Sequence, residues 1–111
     1  MMLNEVLKER GDNYGSFHTF ANLSQTLYRI ITQHYNSTHR KDNNEVDEMP
    51  YFMAESIQMI CHKLSRIANG NPYHEDSWHD IAGYATLVFD ILQSAKEPQV
   101  EEVTTKEVEQ E

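Results

Sequence analysis

The sequence predicts an all-α fold, a compact bundle of about four helices. Three observations carry this: apolar residues recur at steps of three and four in several segments, Gly, Pro, Asn and Asp clusters separate those segments, and no stretch alternates with the period of two that a strand needs. With 111 residues the chain is the size of one domain. The expected division is a helical domain over residues 1–95 and an acidic, flexible tail over 96–111.

Leu3, Val6 and Leu7 give a short stripe, and residues 2–10 read as a brief helix ended by Gly11. Residues 11–16, G-D-N-Y-G-S, read as a turn from which Asn13 or Ser16 caps the next helix. In that helix Phe17, Phe20, Ala21, Ser24, Leu27, Tyr28, Ile31 and Tyr35 share one face. Residues 36–47 contain almost nothing to bury and read as an exposed, mobile connector.

Pro50 suits the first turn of a third helix, in which Met53, Ile57, Ile60, Leu64 and Ile67 form a seam that stops near Asn69-Gly70. Asp76 or Ser77 is the expected cap of a fourth helix. Its face of Trp78, Ile81, Ala82, Ala85, Val88, Phe89 and Leu92 is joined by a second, of Tyr84, Leu87 and Ile91, so this helix is expected to be the central one. The short connector makes residues 50–94 an antiparallel hairpin. The expected core is Phe17, Phe20, Leu27, Ile31, Ile57, Ile60, Leu64, Trp78, Ile81, Ala85 and Phe89. From Lys96 onward six Glu and two Lys stand among scattered valines, the composition of a disordered acidic tail.

Charge narrows the partners. Asp and Glu number 18 against 9 Lys and Arg, and the net charge of -9 repels nucleic-acid backbones and anionic membranes at long range. Direct nucleic-acid binding and membrane binding are not expected. Cys61 has no second cysteine to pair with, and no apolar run suits a signal peptide or a span of ~20 residues, so a cytoplasmic protein is expected.

One stretch looks like chemistry. In K-L-S-R at 63–66 and D-S-W-H-D-I-A-G-Y at 76–84, two cations and two acids face each other across the hairpin. Equal distances from the turn set Arg66 at the level of Asp76 and Lys63 at that of Asp80, with Asp80 and Tyr84 on a shared face. Two readings stay open. The cluster is a structural ion-pair network that fixes the hairpin, or it is an anion or metal-nucleotide site, Lys63 and Arg66 taking phosphate while Asp76 and Asp80 hold Mg2+ through oxygen. His74, Asp76, His79 and Asp80 also spell H-x-D-x-x-H-D, but neither the spacing of a zinc site nor the further ligands of an HD phosphohydrolase accompany it. No glycine-rich phosphate loop, G-x-S-x-G or C-x-x-C is present, which disfavours nucleophilic catalysis.

The order R-G-D-N-Y-G at 10–15, K-L-S-R, then D-S-W-H-D-I-A-G-Y resembles an uncharacterised family of small tailed-phage and prophage proteins over about residues 9–90. The resemblance implies a small acidic phage accessory protein in the host cytoplasm. It singles out Tyr14, Lys63, Arg66, Asp76, Asp80 and Tyr84, and a link to nucleotide modification. Asn13 stands where that family often has an acid. All-helical pyrophosphohydrolases of the MazG type are of similar size, but the match is poor, since the E-x-x-E of Glu45 and Glu48 falls in the loop before Pro50 and not on a helix.

Two functions of different class follow. In one, the hairpin binds or processes a nucleotide or related phosphorylated metabolite, with Mg2+ as the candidate ion; the residues do not separate enzyme from binder. In the other, the chain is a non-enzymatic module that binds and modulates a host or phage protein, a basic one by its charge. A homodimer is also expected, through an apolar face left over for a second copy.

Overall fold

The structure, a computed structural model, describes residues 3–96, with the side chains of residues 9–14 outside the described set. Tyr14 and the acidic tail of the sequence reading therefore lie outside the described side chains and residues. The fold is all-α: α1 (Leu3–Tyr14), α2 (Phe17–Thr38), α3 (Tyr51–Asn69) and α4 (Glu75–Lys96).

Gly11 does not end α1, which runs on to Tyr14. A lone glycine costs a helix only ~1 kcal/mol, and the break falls instead at Gly15, whose φ of +81° is left-handed. A Cβ there would overlap the carbonyl oxygen of Asn69 and lie 2.8 Å from its carbonyl carbon, so this corner is clamped against the end of α3. Ser16 caps α2 as expected, its Oγ accepting from the Thr19 amide at 3.2 Å.

α2 continues through residues expected in the connector, to Thr38. Beyond it the loop is exposed yet hydrogen-bonded: the Asp47 amide donates to His39 O at 3.1 Å, Arg40 and Val46 form an isolated antiparallel bridge, and Arg40 reaches Asn44 O at 3.3 Å. Asn44 takes the positive φ of 69° that the turn needs. Pro50 stands just before α3, and its carbonyl accepts from the Met53 and Ala54 amides. Gly70 closes that helix by donating to Arg66 O at 2.9 Å. Asp76 and Ser77 do not cap α4; both lie inside its first turn, where Asp76 favours the positive end of the helix and Ser77 is buried.

The central helix is α3. It touches α1, α2 and α4, whereas α2 and α4 do not touch each other. Of the second face of α4, Tyr84 is half-buried on the α3 side while Leu87 and Ile91 are exposed, and α4 has α3 as its one helical neighbour among the described residues, which corrects the expectation that α4 is central. Burial follows this layout. Phe20 and Cys61 are the buried hydrophobic residues among those described, and Ser24, Ser56, Ser65 and Ser77 fill the helix seams beside them. Small side chains let the backbones approach closely. Ser65 settles its buried hydroxyl by donating to Cys61 O at 2.9 Å.

Much of the expected core lies outside. Leu27, Ile57, Ile60 and Ile81 are half-buried, but Phe17, Ile31, Leu64, Trp78, Ala85 and Phe89 are exposed, Phe17 at 75% and Phe89 at 59%. Periodicity identifies an apolar stripe without saying what covers it. No described helix is long and apolar enough to cross a membrane.

Candidate functional site

The hairpin brings Lys63 and Asp80 together. The Lys63 ammonium lies 3.0 Å from Asp80 Oδ2, with the lysine side chain 10% exposed and the aspartate 41%. A buried ammonium needs such a carboxylate, and here the acid end of the pair faces solvent. The hydrogen bond from Lys63, with its charge and that of His79, holds the Asp80 carboxyl below its ordinary range.

Arg66 and Asp76 do not meet in this way. Asp76 is exposed and pairs with His74 Nε2 at 3.7 Å when that ring is charged. Arg66 turns toward α2, its guanidinium carbon 5.5 Å from the centre of the Phe20 ring. On the same ring rests His62, 5.1 Å between centroids. Arg66, three residues after Lys63, is turned from it by only about 60° around α3, and that offset is enough for Arg66 to lie over Phe20 of α2 while Lys63 pairs with Asp80 of α4.

The resulting positive field is visible in His62. Burial, then Arg66, then Lys63 push its pKa below the ordinary 6.5, which keeps the ring neutral at pH 7. The place of His62 between Phe20 and two cations needs the α2–α3 packing to be seen.

Beside the ion pair, His79, Asp80, Gly83, Tyr84 and Leu87 line an open recess of about 410 Å³. The size is within the range of small-molecule pockets. Gly83 is its unusual member. It sits inside α4, where glycine costs ~1 kcal/mol against alanine, and a Cβ built on it would meet nothing within 4 Å. Nothing among the described residues uses the missing side chain. Sequence reasoning quoted Gly83 within D-S-W-H-D-I-A-G-Y but gave it no role, because its helical setting and empty surroundings are properties of the packing.

A second recess of about 330 Å³ lies between α2 and α3, lined by Ser24, Gln25, Glu55, Gln58, Met59 and His62. Among the described residues no group of three or more His, Cys, Asp or Glu side chains is disposed to hold a metal ion. Asp80, already engaged by an ammonium, offers a metal only a contested carboxylate; the same ammonium suits an anion that displaces Asp80.

The chain matches, over residues 3–92, a family described as a domain of unknown function, DUF6378. It belongs to that family. The match runs from α1 to within a turn of the end of α4, so both the Gly15 corner and the Lys63, Asp80 and Gly83 edge lie inside the DUF6378 region. No curated protein and no solved structure matches the chain.

Proposed function

We propose that this DUF6378 domain binds a phosphorylated small molecule, a nucleotide or related metabolite, at the α3–α4 edge. Lys63 takes the phosphate in place of Asp80, Arg66 adds positive field, and Tyr84 and Leu87 flank the organic part. The observation that carries this reading is Gly83, a glycine spent inside a helix, against open space, in the recess it shares with Asp80, the acid that pairs with the buried Lys63 ammonium. A ligand that approaches the α4 backbone closely gives that glycine a use. Asp80 acts as the resident anion that keeps Lys63 charged until phosphate arrives, and any Mg2+ comes with the nucleotide, held by phosphate oxygens and by Asp80 or Asp76. The phage setting implied by the motifs is part of the proposal, with nucleotide metabolism as its use.

The test is thermal stability of the purified chain titrated with nucleoside mono-, di- and triphosphates, with and without Mg2+. A saturable rise that Lys63→Ala and Gly83→Ala both remove supports the site, and release of phosphate or pyrophosphate separates enzyme from binder. Absence of any shift in a folded protein sinks the reading. It then leaves the second one, a module that engages a host or phage protein, favoured by Leu87 and Ile91, exposed at 58% and 44% on the same flank of α4.

A further inference from the structure

On α4 the side that packs against α3 is marked by the buried Ser77 and the half-buried Ile81, Tyr84 and Val88. Trp78, Ala82, Ala85, Phe89 and Leu92 run along one flank of that seam and are all exposed; Asp80 and Leu87 mark the other. On α3, Lys63 leans to the Asp80 flank, and Leu64 and Ala68, both exposed, lie on the opposite side, away from His62 and α2. Because the helices run antiparallel, the two stripes lie side by side and form one apolar face. Leu64 is 40% exposed, Trp78 52%, Phe89 59% and Leu92 41%, and no charged residue interrupts the stripe before Lys96.

We infer that a second copy of this chain covers this face, pairing the two α3–α4 hairpins as an intermolecular four-helix bundle. Area, charge and shape argue for that occupant. Two helices of about 30 Å, each ~10–12 Å across, present ~650 Å². Doubled, this outline is ~1,300 Å², within the range of stable interfaces. A chain of net charge -9 repels another copy unless the contact is uncharged, and this face is. An isologous contact must also fit itself. A two-fold axis near Ala85, the midpoint between Trp78 and Leu92, sets Phe89 of each copy against the small Ala82 of the other. Residues 97–111 are a poor cover, with six Glu and three Val.

Trp78 is the single tryptophan of the chain, so the face carries its own probe. Sedimentation of the full-length chain is expected to give twice the 13.0 kDa mass at micromolar concentration. Dilution to monomer should red-shift Trp78 emission and raise its quenching by acrylamide several-fold. Phe89→Glu should shift the population to monomer by tenfold or more in Kd, whereas Ile30→Glu, on exposed α2, should leave the dimer intact. If Phe89→Glu fails to fold, the dilution series on the wild-type chain still decides. A monomer at 100 µM, a dimer with Trp78 emission independent of dilution, a dimer broken by Ile30→Glu but not Phe89→Glu, or Trp78 exposed only after truncation at Lys96 would each overturn the inference, the last by naming the tail as the cover.

Discussion

Two glycines of this chain should respond to alanine with opposite signs. At Gly15 the backbone is left-handed, at φ +81°, and an added Cβ runs into the carbonyl of Asn69. Left-handed alanine costs ~1–2 kcal/mol. Forcing a methyl group into packed backbone adds ~1–3 kcal/mol, because neither the α1–α2 corner nor the end of α3 is a flexible side chain that swings aside. Gly15→Ala should therefore lose ~2–5 kcal/mol, a large share of the ~5–15 kcal/mol that holds a domain together. At ~4–8 °C per kcal/mol, Tm should fall by about 8 °C or more. Gly83→Ala, helical and open, should instead gain ~0.8–1 kcal/mol from helix propensity. Urea unfolding of both variants by circular dichroism, in dilute buffer without nucleotide, is the assay. A Gly15→Ala loss below 1 kcal/mol would refute the clamp. A destabilised Gly83→Ala would mean that some part of the chain does need that position bare, and the argument for a ligand at the recess would fall with it.

The Lys63 and Asp80 pair should be asymmetric under substitution. Lys63→Met removes the buried charge and leaves a half-exposed carboxylate for water to solvate, at a loss under ~1 kcal/mol, whereas Asp80→Asn strands the ammonium and should cost ~1–3 kcal/mol in urea unfolding; equal losses would contradict the assigned burial. Stability should fall on acidification in two stages. Because the pKa of His62 is lowered in the fold, the unfolded chain binds the extra proton, and stability declines as pH drops below 6.5 and levels off beneath the folded value. Asp80, also lowered, contributes stability that is present above its ordinary 3.8 and is lost as pH falls through its folded value; urea midpoints from pH 8 to 3 should lose the first stage in His62→Gln and the second in Asp80→Asn. The buried Cys61 thiol, its pKa raised by burial, should react with a thiol reagent only at the rate of opening, so that a rate matching an unfolded control would place it outside the core.

How far the sequence reveals this molecule depends on which forces are local. Helix existence, the Ser16 cap and the Lys63 with Asp80 contact follow from periodicity, cap chemistry and equal distance from one short turn, all properties of nearby residues. The end of α1 does not, because Gly11 and Gly15 look alike until α3 presses on one of them. Arg66 is read to the wrong neighbour for a related reason. Distance from the turn fixes its height on α3, but its direction is fixed by helical phase, and an offset of about 60° from Lys63 is enough to set it over Phe20 on α2.

The core was the least legible part, and the reason bears on the biology. A stripe such as Ile57, Ile60, Leu64 on one helix and Trp78, Ala85, Phe89 on the next reads as interior because apolar surface costs ~25 cal/mol per Å² to leave wet. Yet among the described residues the fully buried side chains are Phe20, Cys61, four serines and Lys63, and many of the larger apolar side chains, Phe17, Leu64, Trp78 and Phe89 among them, are exposed. Few hydrophobic residues are fully buried among those described, and α3 stands between α2 and α4, so the proposed second copy supplies a cover that the chain's own helices do not. On the proposed pairing, the stripe that sequence analysis assigns to the interior is interior to a dimer. The dilution response of Trp78 is where that argument meets measurement, since a residue exposed in one chain and shielded in two must report which state is present.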